Sequence, residues 1–277
     1  MRQMTINCKG KLLDLSQPIV MGILNVTPDS FFDGGKWSDE RDLLSQVDKI
    51  LSEGAKIIDV GGMSTRPGAE IISIDEELKR VIPVIKLIVQ HFSDAIISVD
   101  TIRANVASNA IENGAAIIND ISGGTFDEAM ISTVASLQVP YVVMHKKGMP
   151  KDMQQNPVYE NVVTEVFDFL QQQVQKCKQV GIKDVIVDVG FGFGKTLEHN
   201  FSLLKNLEVF KQINCPILLG VSRKNMITKT LNIKNADALN GTTALNMAGL
   251  MKGANIIRVH DVKEAVEVVK LYNNIIA

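Results

Sequence analysis

Eight short apolar, β-branched runs, each followed by a longer stretch with apolar residues at helical spacing, set the tightest limit on how this chain can fold. They are "PIVMGILNV" (18 to 26), "KIIDVGG" (56 to 62), "AIISVDT" (95 to 101), "AAIINDISG" (115 to 123), "PYVVMH" (140 to 145), "DVIVDVGFG" (184 to 192), "PILLGVSR" (216 to 223) and "NIIRVHDV" (255 to 262). Between them lie helical patterns such as "DEELKRVIPVIKLIVQHF", "VVTEVFDFLQQQVQKCKQVG" and "NFSLLKNLEVFKQI", several closing on Gly or Asn. Strand and helix in alternation imply parallel strands joined by right-handed crossovers, and eight such units predict a (β/α)₈ barrel, a TIM barrel, spanning 1–277 as one domain. An open doubly wound sheet is the second choice, but no "GxGxxG" follows the first strand and no Pro- or Ser-rich linker divides the chain. The leading "TINCKGKLLDL" fits an N-terminal β-hairpin that could close the barrel's bottom.

The strands share one peculiarity, which is that their polar residues gather at the C-terminal ends. Asn25, Asp59, Asp100, Asn119 with Asp120, His145, Asp188, Ser222 with Arg223 and Lys224, and Arg258 with His260 and Asp261 all lie there. In a barrel those ends converge on the face that carries the active site. Taken singly, Asp59 or Asp120 reads best as a helix cap or an ion-pair partner, but a buried carboxylate without a partner is costly, and eight strands ending alike point to a shared site. The segment "MGILNVTPDSFFDGG" (21 to 35) adds a second oddity, because a core strand discharges into polar groups and leaves Phe31 and Phe32 in a loop.

Composition excludes several classes. With 29 basic and 31 acidic residues and a formal charge of -2, the chain offers no basic field for nucleic acid or anionic lipid. Three cysteines in 277 residues do not make a disulfide framework, which points to a reducing, cytoplasmic setting. The leading residues lack the apolar core of a signal peptide, and no stretch reaches the ~18 uncharged apolar residues of a membrane helix.

"GFGFGKT" (190 to 196) falls short of a phosphate loop, since a Walker A pattern would need glycine at Val189. It reads better as a flexible strand-to-helix turn beside Asp188, with Phe193 able to cover a flat ligand. His91 and His199 fall on helices and are expected in solvent; His145 and His260 sit at strand ends, as ligand contacts or as satisfied core histidines. No Cys or Ser stands beside a His as a nucleophile would. Lys224 could form a Schiff base, as in an aldolase, the weakest of the readings; its neighbour Arg223 makes a lowered pKa conceivable without deciding the matter.

"GILNVTPDSFFDGG", "DVGGMSTRPGA", "SVDT", "AIINDISGG", "VVMH", "VDVGFGFGK", "GVSRK" and "IIRVHDV" together resemble dihydropteroate synthases, in order and spacing, along nearly the whole chain. The resemblance implies the same barrel and a transferase of folate biosynthesis, the target of sulfonamides. It would join 6-hydroxymethyl-7,8-dihydropterin diphosphate to p-aminobenzoate, giving 7,8-dihydropteroate and diphosphate. A pterin edge offers donors and acceptors that a carboxylate and an amide can meet. By resemblance Asp188 and Asn119 do so, Lys224 lies on the ring's acceptor side, Asp100 faces the developing positive charge, and Met144 and Phe193 are apolar walls. Asn25, Arg66, Arg258 and His260 would take the diphosphate, with Mg²⁺ held in part by Asn25 and by water. Phe31, Thr65, Pro67 and Asn225 would contact p-aminobenzoate, while Asp33 and Arg66 would hold the leaving group and two closing loops, so the implied catalytic set is Asp100, Lys224, Arg66 and Asp33. The family also implies a homodimer packed through the later helices. C–O cleavage followed by capture of a pterin cation needs no strong nucleophile.

The chain departs from the family's pattern in places. Val189 stands where proline is common, Asn225 where serine is frequent, and Lys146 and Lys147 follow His145 where Met and Arg or Gln are usual, so no role passes to that pair. A pterin-binding methyltransferase and a non-catalytic pterin-binding paralogue are the competing readings, against which stand the two loops and Asn25, Arg66 and Lys224. Gly34, Gly35, Gly61, Gly62 and Gly68 around the loop residues predict that p-aminobenzoate binds after the pterin diphosphate has ordered them.

Overall fold

A computed structural model describes residues 4–26, 40–64, 71–148 and 157–276. Strands β3 (Ile19–Asn25), β4 (Ile57–Gly61), β5 (Ile97–Asp100), β6 (Ile117–Asp120), β7 (Tyr141–Met144), β8 (Val185–Asp188), β9 (Ile217–Leu219) and β10 (Ile256–Val259) form a closed barrel, β10 pairing with both β9 and β3. Each pair is parallel, as the crossovers require, and closure rules out the open sheet.

Side-chain parity gives the barrel its two cores. Ile58, Val60, Ile97, Val99, Ile118, Val143, Val187, Leu219 and Ile257 face outward and pack with the helices. The alternating positions Met21, Ile57, Ile117, Val142, Ile186, Leu218 and Ile256 point inward as one apolar layer. Two residues further along, the inward side chain is polar on four of these strands, as Asp59, Asn119, Asp188 and Arg258, so the same alternation carries the site.

The layer's lower side is closed by the hairpin of β1 (Thr5–Cys8) and β2 (Lys11–Asp14). Lys9 at φ 53° and Gly10 at φ 90° make the two-residue turn that matches strand twist. Ile6, Cys8 and Leu15 enter the inward layer, and Asn7 N–H to Asp184 at 2.9 Å and Asn255 Nδ2 to the Leu15 carbonyl at 3.2 Å tie the hairpin to the barrel.

The helices are α1 (Glu40–Ser52), α2 (Ile74–His91), α3 (Ala104–Glu112), α4 (Met130–Leu137), α5 (Val162–Gln179), α6 (Leu197–Lys205), α7 (Asn225–Leu231), α8 (Leu239–Met251) and α9 (Val262–Ile276). "NFSLLKNLEVFKQI" is not one helix: α6 stops at Asn206 and the chain continues as a 3₁₀ segment, Leu207–Ile213. Leu207, Phe210 and Ile213 bury at three-residue spacing, which the tighter helix serves.

Candidate active site

The inward positions above the apolar layer are Asp59 on β4, Asp100 on β5, Asn119 on β6, Asp188 on β8 and Arg258 on β10, with Asn25 ending β3. Met144, at the end of β7, packs with Met63, Ile102, Ile121 and the half-buried Phe193 as an apolar wall on the same mouth.

Arg258 organises the acidic side. Its Nε donates to Asp59 Oδ2 at 2.6 Å and its Nη2 to Asp100 Oδ2 at 2.8 Å, so one guanidinium neutralises carboxylates from two strands. Burial opposes its charge, but Asp59 and Asp100 outweigh that and keep it protonated. Asn119 Nδ2 donates to the same Asp59 oxygen at 3.0 Å. Burial pushes the Asp100 carboxyl up to about 7, Arg258 opposing and Asp59, Glu77 and Asp120 adding to the rise. A carboxylate that near neutral pH can change charge during a reaction.

Lys224 caps α7 with extended backbone angles, which frees its side chain to enter the mouth. Its Nζ bonds the Phe191 carbonyl and lies 4.7 Å from the centre of the Phe193 ring. A Cβ on Gly220 would lie 3.8 Å from Asp188 Oδ2 and 3.9 Å from Lys224 Nζ, so the two charges share one small space. Burial lowers the Lys224 ammonium to about 8, against Asp188 and with Arg258. Burial raises the Asp188 carboxyl, while Lys224 and the Gly190 N–H at 2.7 Å hold it down. Arg223 is engaged elsewhere: at φ 56° its guanidinium clamps Asp261, with Nε 3.0 Å from Oδ2.

"GFGFGKT" is tied down instead of flexible. At Gly190, φ is 70° and a Cβ would stand 1.9 Å from the His145 carbonyl oxygen; at Gly194, φ is 64° and the clash would be 2.1 Å from that of Lys147. Only glycine fits either place. Lys195, buried, bonds His145 Nδ1 at 2.9 Å and the Phe193 carbonyl at 3.1 Å, fastening the turn to β7. His145 is therefore a core histidine, its basicity pressed down to about 2 by burial and by Lys195. His260 is exposed, and Ser222 Oγ lies 3.0 Å from its Nδ1. His91 is exposed as expected, but His199 is half-buried, closing a reciprocal cap with Thr196. Asp120 holds its own turn, accepting from Ser122, Gly124 and Tyr141.

Six expected residues, Asn25, Asp100, Asn119, Asp188, Lys224 and Arg258, thus come to one mouth with Met144 and Phe193. His260 and the exposed Asn225, the first residue of α7, follow strand ends on the same face. Phe31, Asp33, Thr65, Arg66 and Pro67 lie outside the described residues. Both flanks of 65–70 are held: Arg80 bonds the Gly62 carbonyl at 3.1 Å, and Arg103, paired with buried Glu77, bonds that of Ile72. Asp59 is the ion-pair partner that its single-residue reading favoured, though its place at the centre of the network was not foreseen, and sequence reasoning missed Lys195 as a fastener and Ile102 and Ile121 as wall. Period-two parity in "KIIDVGG" was the available signal for Asp59, since it puts the carboxylate on the inward face with Ile57.

Residues 21–260 match the model of the family described as pterin binding enzyme. The dihydropteroate synthase of Escherichia coli K12 is 46% identical over 270 residues, covering 97% of this chain and 95% of that protein. A Yersinia pestis dihydropteroate synthase solved with a sulfonamide drug superposes with a TM-score of 0.91 at 42% identity, covering 98% of each chain. That of Xanthomonas albilineans, solved with 4-aminobenzoic acid, gives 0.92 at 36% identity over 99% of this chain and 98% of the other. Motif order, barrel and mouth agree with these similarities: the chain belongs to the dihydropteroate synthase family of pterin-binding enzymes.

Proposed function

We propose that this protein condenses 6-hydroxymethyl-7,8-dihydropterin diphosphate with p-aminobenzoate, releasing diphosphate and giving 7,8-dihydropteroate. The observation that carries the reading is that Asp188 and Lys224 share one small space, Asn119 is held by Asp59, and Met144 and Phe193 pack in one apolar cluster on the same mouth. Asp188 accepts the pterin's N–H groups, Asn119 meets its mixed edge, Lys224 donates to its acceptor side, and Met144 and Phe193 sandwich the ring. Asp100 offsets the positive charge that develops as the C–O bond to diphosphate breaks. Arg258, His260, Asn25 and Arg66 receive the departing diphosphate, and Asp33 and Arg66 hold the loops. Phe31, Thr65, Pro67 and Asn225 take the aryl amine.

Among the described residues no group of three His, Cys, Asp or Glu could cage a metal ion. Asn25 nevertheless fits Mg²⁺: an amide oxygen is a hard donor, and this ion keeps most of its waters and leans on substrate phosphate. Bound there, Mg²⁺ would neutralise charge on the leaving diphosphate.

We take 1–277 as one pterin-binding barrel domain acting in the cytoplasm as a homodimer, with small molecules and neither nucleic acid nor membrane as its partners. In support, the three cysteines lie buried, no helix of the described residues is long and apolar enough to cross a membrane, and Leu271, Ile275 and Ile276 leave an apolar strip exposed on α9. The test is a coupled assay of diphosphate release. Release that requires both p-aminobenzoate and Mg²⁺ is expected; release without p-aminobenzoate, or none at all, would refute the reading, and transfer of a methyl group would favour the methyltransferase.

A further inference from the structure

Asp59 is fully buried, and it is bonded to Asn119 and Arg258, two residues assigned to substrate. A carboxylate can only accept. Its Oδ2 therefore forces the amide of Asn119 to turn its nitrogen inward, and so presents the carbonyl oxygen of Asn119 to the mouth. An asparagine is otherwise free to be flipped by about 180° at almost no steric cost, because its oxygen and nitrogen are nearly the same size. The same Oδ2 holds Arg258 through Nε, the one nitrogen that fixes the guanidinium's rotation about its stem, while Asp100 takes Nη2. Three of the five N–H groups stay outside these two bonds.

Stability alone does not explain this carboxylate. Asp59 Oδ1 has no hydrogen-bond partner among the described residues, and neither has Ser98 Oγ on the register-paired position of β5. A buried acceptor left half-satisfied costs free energy that an apolar residue there would avoid.

Resting on the proposed synthase reading, we propose that Asp59 is a positioning residue for the transfer reaction: it selects the amide orientation of Asn119 that reads the pterin edge and aims Arg258 at the leaving group.

The experiment compares Asp59→Asn with the native enzyme. Asparagine keeps the shape but offers a donor as well as an acceptor, so the amide of Asn119 loses its imposed orientation. Binding of 6-hydroxymethylpterin, which lacks the diphosphate, is measured by calorimetry and expected to weaken tenfold or more. In steady state kcat should fall at least tenfold while KM for p-aminobenzoate stays within twofold. The decisive readout is coupling: in an Asn119→Ala background, Asp59→Asn should no longer change pterin affinity, because the group it orients is gone. Unchanged pterin affinity and kcat in folded Asp59→Asn protein would overturn the proposal, and so would equal losses in both backgrounds, the mark of a general structural role. Should Asp59→Asn not fold, Asp59→Ser, which leaves space for water, enters the same comparison. If the native enzyme neither binds the pterin nor releases diphosphate, the synthase reading itself has failed and the role of Asp59 falls with it; a working native enzyme with an indifferent Asp59 would sink this proposal alone.

Discussion

Replacing Arg258 by glutamine should move both limbs of the pH–activity profile upward together. Asp100 at about 7 and Lys224 at about 8 define the native window, with Asp100 ionised against the developing cation and Lys224 protonated against the ring. The fraction of enzyme in that form peaks at about 0.6 near pH 7.5 and falls to about 0.09 at pH 6 and at pH 9, so kcat/KM for the pterin diphosphate should drop roughly sixfold over about 1.5 units either way. Arg258 lowers both groups. Losing an adjacent cation destabilises the Asp100 carboxylate, and its pKa should rise by roughly one to three units. The same loss relieves repulsion on Lys224, whose pKa also rises, by less because Arg258 makes no direct bond to it. The profile should thus become narrower and displaced to higher pH, besides being lower everywhere. Ionisation of the substrate's own phosphates affects both enzymes alike, so the displacement isolates the protein groups. Limbs that stay in place, or that separate, would refute the assignment of this pair as the titrating groups.

Asp188→Ala should leave a folded barrel that binds 6-hydroxymethylpterin roughly a hundredfold more weakly, since two bonds to a charged acceptor are lost at about 1.5 kcal/mol each; calorimetry decides it, and unchanged affinity would place the pterin elsewhere. Gly190→Ala should destabilise or prevent folding, because a methyl 1.9 Å from the His145 carbonyl comes on top of a positive φ whose cost for alanine is about 1 kcal/mol or more; a denaturation midpoint equal to that of the native protein would contradict the geometry. An aryl sulfonamide should bind measurably only when dihydropterin diphosphate, or pterin plus diphosphate, is already present, and equal affinity in its absence would show the p-aminobenzoate site to be preformed.

The barrel was readable because its information is local and repeated: β-branched runs such as Ile57–Val60 and Ile256–Val259 state a strand, and their spacing states the crossover. Polar residues at strand ends were equally plain, so the sequence alone places Asp100, Asn119, Asp188 and Arg258 on one face. Partnerships were not. Nothing local says that Arg258 bonds Asp59 and Asp100, or that Arg223 turns to Asp261 and leaves Lys224 alone, because these depend on which inward side chains meet across the lumen. The turn that carries Lys195 was legible, but not the burial of that lysine, which follows from a long-range contact fastening the turn to β7. The break after α6 was hidden for the opposite reason, in that three- and four-residue spacings are hard to separate over a short apolar stretch.

Closing the barrel through β3 and β10 has a consequence for how the chain comes into being. The acids of the mouth are made early and their counter-ion late: Arg258 lies 199 residues after Asp59 and 158 after Asp100. At typical rates of roughly 5 to 20 residues per second, about 8 to 30 s pass between synthesis of Asp100 and of Arg258. For that interval the nascent chain holds an unbalanced pair of carboxylates, together with an open strand edge on β3. Packing the two acids into a dry lumen without the arginine is unfavourable. Sealing the early strands into a core before β10 joins them is therefore disfavoured, and Arg258 on β10 completes the mouth.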